Sequence, residues 1–173
     1  MKYGLTFLLT LFISLSSQAQ NIYFTKDDLQ KELDRYLPVT EQQDLFSLTV
    51  ANSTLDLLED QQRLSIHSHV VINTVFGTVH KGRMRVDGKL RYQQSNHSFY
   101  VDEPRITEFH FADLPAFVKP QVQSFVEGLL TTAVTDYPLY TLTEKSFEES
   151  MAKMMLKSIK IKEDSVIAAL SPF

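Results

Sequence analysis

The amino-acid sequence contains no cysteine in its 173 residues. Without cysteine the protein can form no disulfide, and it cannot carry the lipid-modified N-terminal cysteine of a bacterial lipoprotein. Its stability must therefore come from a packed core. Hydrophobic residues make up 43% of the chain, which is sufficient for one domain with a sizeable core.

Sequence signatures of enzymes are also missing. The chain has no G-x-S-x-G elbow, no H-E-x-x-H motif, no Walker loop, no G-x-G-x-x-G turn and no cysteine nucleophile. A formal net charge of −4 gives no global electrostatic case for binding nucleic acid. We therefore expect a protein that is not an enzyme, uses no cofactor and does not bind nucleic acid.

The long hydrophobic run of this sequence is confined to its N-terminus. Lys2 precedes an apolar run over residues 5–15, and Ser17-Gln18-Ala19 has the small-x-small pattern that signal peptidase recognises. This pattern predicts a cleaved signal peptide over residues 1–19 and a single exported domain over residues 20–173. No later run approaches the roughly 20 apolar residues that a membrane-spanning helix needs, so we expect no transmembrane segment.

An alternating pattern over residues 45–111 predicts an antiparallel meander with unusually long strands. The alternation changes parity near Asn52-Ser53, which indicates a bulge. Strands of this length require an elongated molecule or a strongly curled sheet, and Gly82 and Gly88 are positions where a curled sheet can bend. Two strands place apolar residues on one face: Leu64, Ile66, Val70, Ile72 and Phe76 on the first, and Met84, Val86, Leu90 and Tyr92 on the second.

Helical spacing of apolar residues predicts a long helix over residues 113–137, kinked or restarted at Pro120. Glu127 is the only ionisable residue between Pro120 and Thr135. A solvated helix face normally carries several charges, so we expect this helix to be covered on more than one side.

Two shorter helices are predicted on either side of this central region. The first covers residues 26–37, with Thr25 as its N-cap, a hydrophobic staple between Phe24 and Leu29, and Leu29, Leu33 and Tyr36 buried. The second begins after Thr143 and continues to Lys157, with four apolar residues facing inward: Phe147, Met151, Met154 and Met155.

The order of these elements resembles a known family. The opening YFTKDDLQKELDRYLP, the helical segment QVQSFVEGLLTTAVTDYPLYTL and the ending MAKMMLKSIKIKEDSVIAALSPF are similar to the YceB-like family of Gram-negative envelope proteins. That family resembles the tubular lipid-binding (TULIP) superfamily. The resemblance implies an α+β fold in which a long, strongly curved antiparallel β-sheet is wrapped around a long helix. It also implies a periplasmic protein that binds a lipid or other hydrophobic small molecule. We expect the protein to be a monomer. Typical members are lipoproteins, which this chain without cysteine cannot be.

The apolar stripes have two interpretations, a ligand-binding groove or a filled core. A filled core is what such stripes usually form, and it would suit an envelope structural or interaction protein that acts through its surface. The family resemblance favours the groove. The groove residues are then Leu64, Ile66, Val70, Ile72, Phe76, Met84, Val86, Leu90, Phe125, Leu129 and Ala133.

Two polar patterns leave further alternatives open. His67-x-His69 places two imidazoles on one strand face, a spacing that metal sites use, although no third ligand is identifiable and exposed strand histidines are the simpler interpretation. A basic stripe on the next strand is either a solvated face or a contact for anionic lipid head groups or a partner protein. The basic stripe comprises Lys81, Arg83, Arg85, Lys89 and Arg91.

Overall fold

The computed structural model describes residues 21–136, 138–144 and 146–170. Within these residues the fold is α+β, with two antiparallel sheets and three α-helices. The predicted signal peptide, residues 1–19, lies outside the described residues. None of the described helices has the length and apolar character needed to cross a membrane.

Six strands form the larger sheet, in the order β2-β3-β4-β5-β6-β7. Four of them are long, as the alternating pattern predicts, and the sheet is antiparallel throughout. The strands are β2 (Val39–Gln42), β3 (Phe46–Leu58), β4 (Arg63–Thr74), β5 (Val79–Gln93), β6 (Ser98–Phe111) and β7 (Tyr140–Thr141). A short 3-10 turn, Glu59–Gln61, joins β3 to β4.

A second, three-stranded sheet joins the two ends of the described chain. It contains β1 (Asn21–Thr25), β9 (Ser165–Leu170) and β8 (Leu156–Lys162), in that order. The three helices are α1 (Lys26–Arg35), α2 (Lys119–Asp136) and α3 (Phe147–Met155). This smaller sheet was not predicted as a separate sheet.

The start of α1 is determined by its capping residues. The Thr25 hydroxyl accepts a hydrogen bond from the Asp28 backbone N–H, and the Asp28 carboxylate accepts one from the Thr25 backbone N–H. Hydrogen bonding by Thr25 lowers the pKa of Asp28. Phe24 and Leu29 are both buried in one core cluster, so the predicted cap and staple residues are in place. Tyr36 is 60% exposed, because α1 ends at Arg35, and its predicted burial is therefore wrong.

Two hydrophobic clusters form the interior. The first joins the smaller sheet, α1 and α3 to the adjoining ends of the large sheet, around Leu55, Leu64 and Phe99. The second lies between the other half of the large sheet and α2, and its fully buried members are Leu48, Val70, Ile72 and Val122.

Helix α2 packs one face on the large sheet and exposes the other. Val122 and Val126 are buried against the sheet, and the Phe125 ring lies edge-on to the Phe46 ring at 5.5 Å between centroids. The opposite face is exposed at Gln121, Ser124, Glu127 and Gly128. Among the described side chains, the helix is therefore covered on one side, and the expectation of cover on several sides is wrong. Uncharged amide and hydroxyl side chains are well solvated, so a scarcity of charge does not require burial.

The third helix begins later than its sequence suggests. Ser146, rather than Thr143, is the N-cap of α3, and its hydroxyl accepts from the Glu149 backbone N–H. Thr143 instead donates its backbone N–H to the Glu149 carboxylate at 3.0 Å. Met151 and Met155 pack against the first hydrophobic cluster, as predicted, but two other residues predicted to face inward are exposed. These are Phe147, at 73%, and Met154, at 67%.

Two glycines on β5 allow β6 to approach closely. A Cβ atom on Gly82 would lie 2.4 Å from the His110 carbonyl oxygen, and one on Gly88 would lie 2.1 Å from a methyl of Val101. Gly88 lies within a register shift between Asp87 and Lys89. These positions require glycine because any side chain would displace the neighbouring strand or its side chains.

Candidate functional site

An apolar cavity of about 210 Å³ lies between the large sheet, α2 and the segment that joins α1 to β2. Five predicted groove residues line it, and they come from β4, β5 and α2: Leu64, Ile66, Met84, Val86 and Leu129. The sequence analysis missed eight further apolar lining residues, Leu33, Leu37, Val39, Leu48, Val50, Val101, Val126 and Leu130. The cavity therefore continues past the predicted strands onto β2, β3 and the end of α1.

Other predicted groove residues lie in filled core beside the cavity. Val70 and Ile72 are fully buried and pack in the cluster that contains Val122, and Phe125 packs against the same cluster. Leu90 packs against the first cluster, on the side of the smaller sheet. The apolar stripe thus faces an open space at one end and side chains at the other.

Two predicted groove residues fall elsewhere. Phe76 is 86% exposed, because β4 ends at Thr74 and Phe76 lies in the turn before Gly77, so its assignment to the groove is wrong. The side chain of Ala133 lies outside the described residues. Phe76 does not line the cavity.

A β-bulge in β3 brings a polar group into the cavity wall. The register of β3 against β4 shifts between Ala51 and Thr54, and Asn52 adopts a positive φ of 48°. This confirms the predicted irregularity. Ser53 lies within the bulge, and its hydroxyl is 2.7 Å from the Ser68 hydroxyl of β4. Both serines line the cavity.

Gln30 of α1 holds the bulge in place. Its side-chain N–H donates to the Ser53 carbonyl oxygen at 2.9 Å, and its carbonyl oxygen accepts from the Leu55 backbone N–H at 2.8 Å. These two backbone groups adjoin the interruption of the strand ladder, and Gln30 supplies hydrogen bonds to both. The sequence signal was weak, because a glutamine on a surface helix is ordinary.

Four of the five residues of the basic stripe pair with acidic residues on β5 itself or on β6. Arg85 lies 3.0 Å from Asp87, Lys89 lies 2.9 Å from Glu103, and Arg91 lies 2.6 Å from Asp102. Arg83 lies 3.8 Å from Glu108. Neutralisation within the sheet weakens the attraction of this face for anionic lipid or an acidic partner.

Asp87 is a buried member of these pairs. Its Oδ1 accepts from the Ser65 hydroxyl at 2.6 Å and from Arg85 Nε at 3.0 Å, and Ser65 is itself fully buried. Burial acts to raise the pKa of Asp87, but the hydrogen bonds from Ser65 and Arg85 outweigh it, and the pKa is lowered.

The two histidines of β4 lie on the outer face of the sheet. His67 Nε2 is 3.5 Å from Asp56 Oδ2, and the other oxygen of the same carboxylate, Oδ1, pairs with Lys26 Nζ. His69 is exposed beside Ala51 of β3. Within the described part of the chain, no group of three or more histidine, aspartate or glutamate side chains is placed to hold a metal ion.

Two wider depressions elsewhere have charged walls. One, of about 580 Å³, lies beside α1 and includes Asp28, Lys31 and Arg35. The other, of about 590 Å³, lies on the outer face of the sheet and includes Lys81 and Arg83. Of these three spaces, the cavity beneath α2 is the one whose walls are almost wholly apolar.

Comparison with known protein families places this fold among proteins whose function has not been assigned. The family described as protein of unknown function DUF1439 matches residues 24–165. The chain belongs to this family. The DUF1439 match runs from Phe24 in β1 to Ser165 in β9 and includes every residue that lines the cavity. No curated protein matches the chain.

Proposed function

We propose that this protein binds a lipid or other hydrophobic ligand, without catalysing a reaction, in the cavity beneath α2. The observation that carries the proposal is the apolar wall, in which aliphatic side chains from α1, β3, β4, β5 and α2 converge on an unfilled space. Burial of apolar ligand surface there would supply about 25 cal/mol per Å².

The size of the cavity restricts the ligand. Its volume of about 210 Å³ exceeds the roughly 150 Å³ of an engineered apolar cavity that binds benzene, and is below the roughly 300 Å³ at which drug-sized pockets begin. The space suits a small apolar molecule or part of one acyl chain. Val39 and Glu41, which line the cavity and are exposed, provide the opening through which a longer ligand reaches solvent.

We also propose that the protein is related to the YceB-like family and has a TULIP-type arrangement. Long strands β3 to β6, the close approaches at Gly82 and Gly88, and α2 lying across the sheet support a YceB-like, TULIP-type arrangement in which a curved sheet and a long helix enclose a ligand. In this proposal the protein is exported by its signal peptide and acts as a monomer in the periplasm.

Native mass spectrometry and lipid extraction of protein purified from the periplasm test the proposal. We expect a bound apolar species that organic solvent removes. Ligand-free protein that also takes up no added hydrophobic probe would contradict it. That result would favour the alternative, an envelope interaction protein that acts through its surface.

A substitution that fills the cavity tests whether the ligand binds there. Val50 of β3 lines the cavity, whereas Val71 of β4 lies on the opposite face of the sheet. We expect Val50→Trp to lose the co-purifying ligand, because the indole occupies the space, and the matched control Val71→Trp to retain it. Circular dichroism checks folding of both variants. Equal ligand content in the two variants would exclude this cavity as the binding site.

A further inference from the structure

A pair of hydroxyl groups interrupts the otherwise apolar wall of the cavity. Ser53 is 6% exposed and Ser68 is 5% exposed, and both line the cavity. Their oxygens are 2.7 Å apart, so they share one hydrogen bond, with either as the donor. The pair lies where the β3 bulge, held by Gln30, faces β4.

The Ser53–Ser68 pair has a hydrogen-bond donor that the shared bond does not use. Each hydroxyl carries one hydrogen and can accept at its oxygen. The shared bond uses one of the two hydrogens, whichever serine donates it. No other hydrogen bond to either hydroxyl occurs within residues 21–136, 138–144 and 146–170. One hydroxyl hydrogen is therefore left to donate to whatever occupies the cavity.

A buried donor without an acceptor is costly, and the cavity wall offers few polar partners. Building on the proposed function, we propose that the ligand places a neutral oxygen acceptor, such as a ketone, ester or alcohol oxygen, against the Ser53–Ser68 pair. A carboxylate would suit the site less well, because Glu41, the one ionisable residue among the described residues that line it, is acidic. The ligand is then a neutral amphiphile rather than a plain hydrocarbon.

Two probe molecules of the same shape, one with an oxygen acceptor and one without, measure the contribution of the hydrogen bond to binding. In 2-octanone a carbonyl oxygen accepts hydrogen bonds, and 2-methyl-1-octene has a CH₂ group in its place. Both are volatile, so headspace gas chromatography above solutions of the mature, delipidated protein gives the bound fraction of each. The measured quantity is the ratio of ketone affinity to alkene affinity, which cancels general changes in cavity size.

Hydrogen counting predicts an unusual pattern among serine variants. Ser53→Ala and Ser68→Ala each leave one hydroxyl with its hydrogen free, so each single variant keeps the wild-type ratio within about twofold. The double variant has no donor, and we expect its ratio to fall about threefold to tenfold, the factor that one neutral hydrogen bond supplies. Ser98→Ala is the control, because Ser98 is buried, bonds to Asn96 and Thr141, and lies outside the cavity.

The outcomes separate this inference from the proposed function. Wild-type binding of both probes with an unchanged ratio in the double variant would overturn the inference and leave hydrophobic binding intact. Failure of the wild-type protein to bind either probe would overturn both. Circular dichroism checks folding, and if the double alanine variant does not fold, Ser53→Ala with Ser68→Cys replaces it. A thiol is a weak donor, so the ratio should again fall below the wild-type value, and an unchanged ratio would overturn the inference.

Discussion

A pair of glycine-to-alanine substitutions tests how closely β6 approaches β5. A Cβ atom at Gly82 would lie 2.4 Å from the His110 carbonyl oxygen and 2.5 Å from a ring carbon of Phe111. At Gly128, in the exposed face of α2, an added Cβ has nothing within 4 Å. The methyl group added by alanine would therefore clash with β6 at Gly82 and enter open space at Gly128.

The magnitudes follow from these distances. At Gly82 a backbone atom is in the way, so relief requires β6 to move by about 1 Å at its pairing with β5, and overpacking of this kind costs about 1–3 kcal/mol. Gly128→Ala should instead stabilise the protein by about 0.5–1 kcal/mol, because alanine favours the helix and restricts the unfolded chain. For a domain of this size, about 2 kcal/mol corresponds to a fall in Tm of about 4–8 °C.

Thermal and urea unfolding followed by circular dichroism measure both variants beside the wild-type protein. We expect changes of opposite sign in the free energy of unfolding. A Gly82→Ala protein as stable as the wild type would refute the close approach of the two strands. A destabilised Gly128→Ala protein would refute the exposed position of that face of α2.

Two further substitutions probe buried polar groups. The pKa of Asp87 is lowered from its ordinary value of 3.8, so the hydrogen bonds to its carboxylate stabilise the fold above that pH, and this stabilisation is lost as the pH falls through the lower pKa of the folded state. We expect Asp87→Asn to cost about 1–2 kcal/mol at pH 7 and the deficit to shrink towards pH 2 in urea unfolding; a deficit independent of pH would contradict this. Gln30→Ala should cost about 1–3 kcal/mol by leaving backbone groups of the bulge unbonded. Gln30→Glu keeps an oxygen that accepts from the Leu55 backbone N–H, so its stability should lie between those of the wild type and Gln30→Ala. An equal loss of stability in both variants would contradict the role of that acceptor.

Local signals in the sequence predicted several elements correctly, because each depends on neighbouring residues. The parity change near Asn52-Ser53 indicated the bulge that the β3–β4 register shows. Thr25, followed three residues later by Asp28, caps α1. The local pattern failed where the element ended: alternation continued to Phe76, although the turn had already begun after Thr74.

Properties that depend on distant residues were not predictable in the same way. Val70 and Ile66 share a face of β4 and look alike in sequence, yet Val70 is fully buried in the cluster that contains Val122 of α2, whereas Ile66 borders the cavity. Whether a residue on this face of β4 is packed in core or borders the cavity depends on where α2 lies over the sheet. The pairing of β1 with β9 was missed for a related reason, because the partner of β1 lies at the far end of the sequence.

The pairing of β1 with β9 constrains the order in which this protein can fold. Asn21 lies opposite Ala169, and Phe24 lies opposite Val166, so the first described strand completes its ladder only with the last. A chain that emerges N-terminus first must carry Ile22 and Phe24 without their strand partner until β9 has emerged. Because contacts between such distant segments form slowly, closure of this sheet should come late, after the local hairpins of the meander have formed.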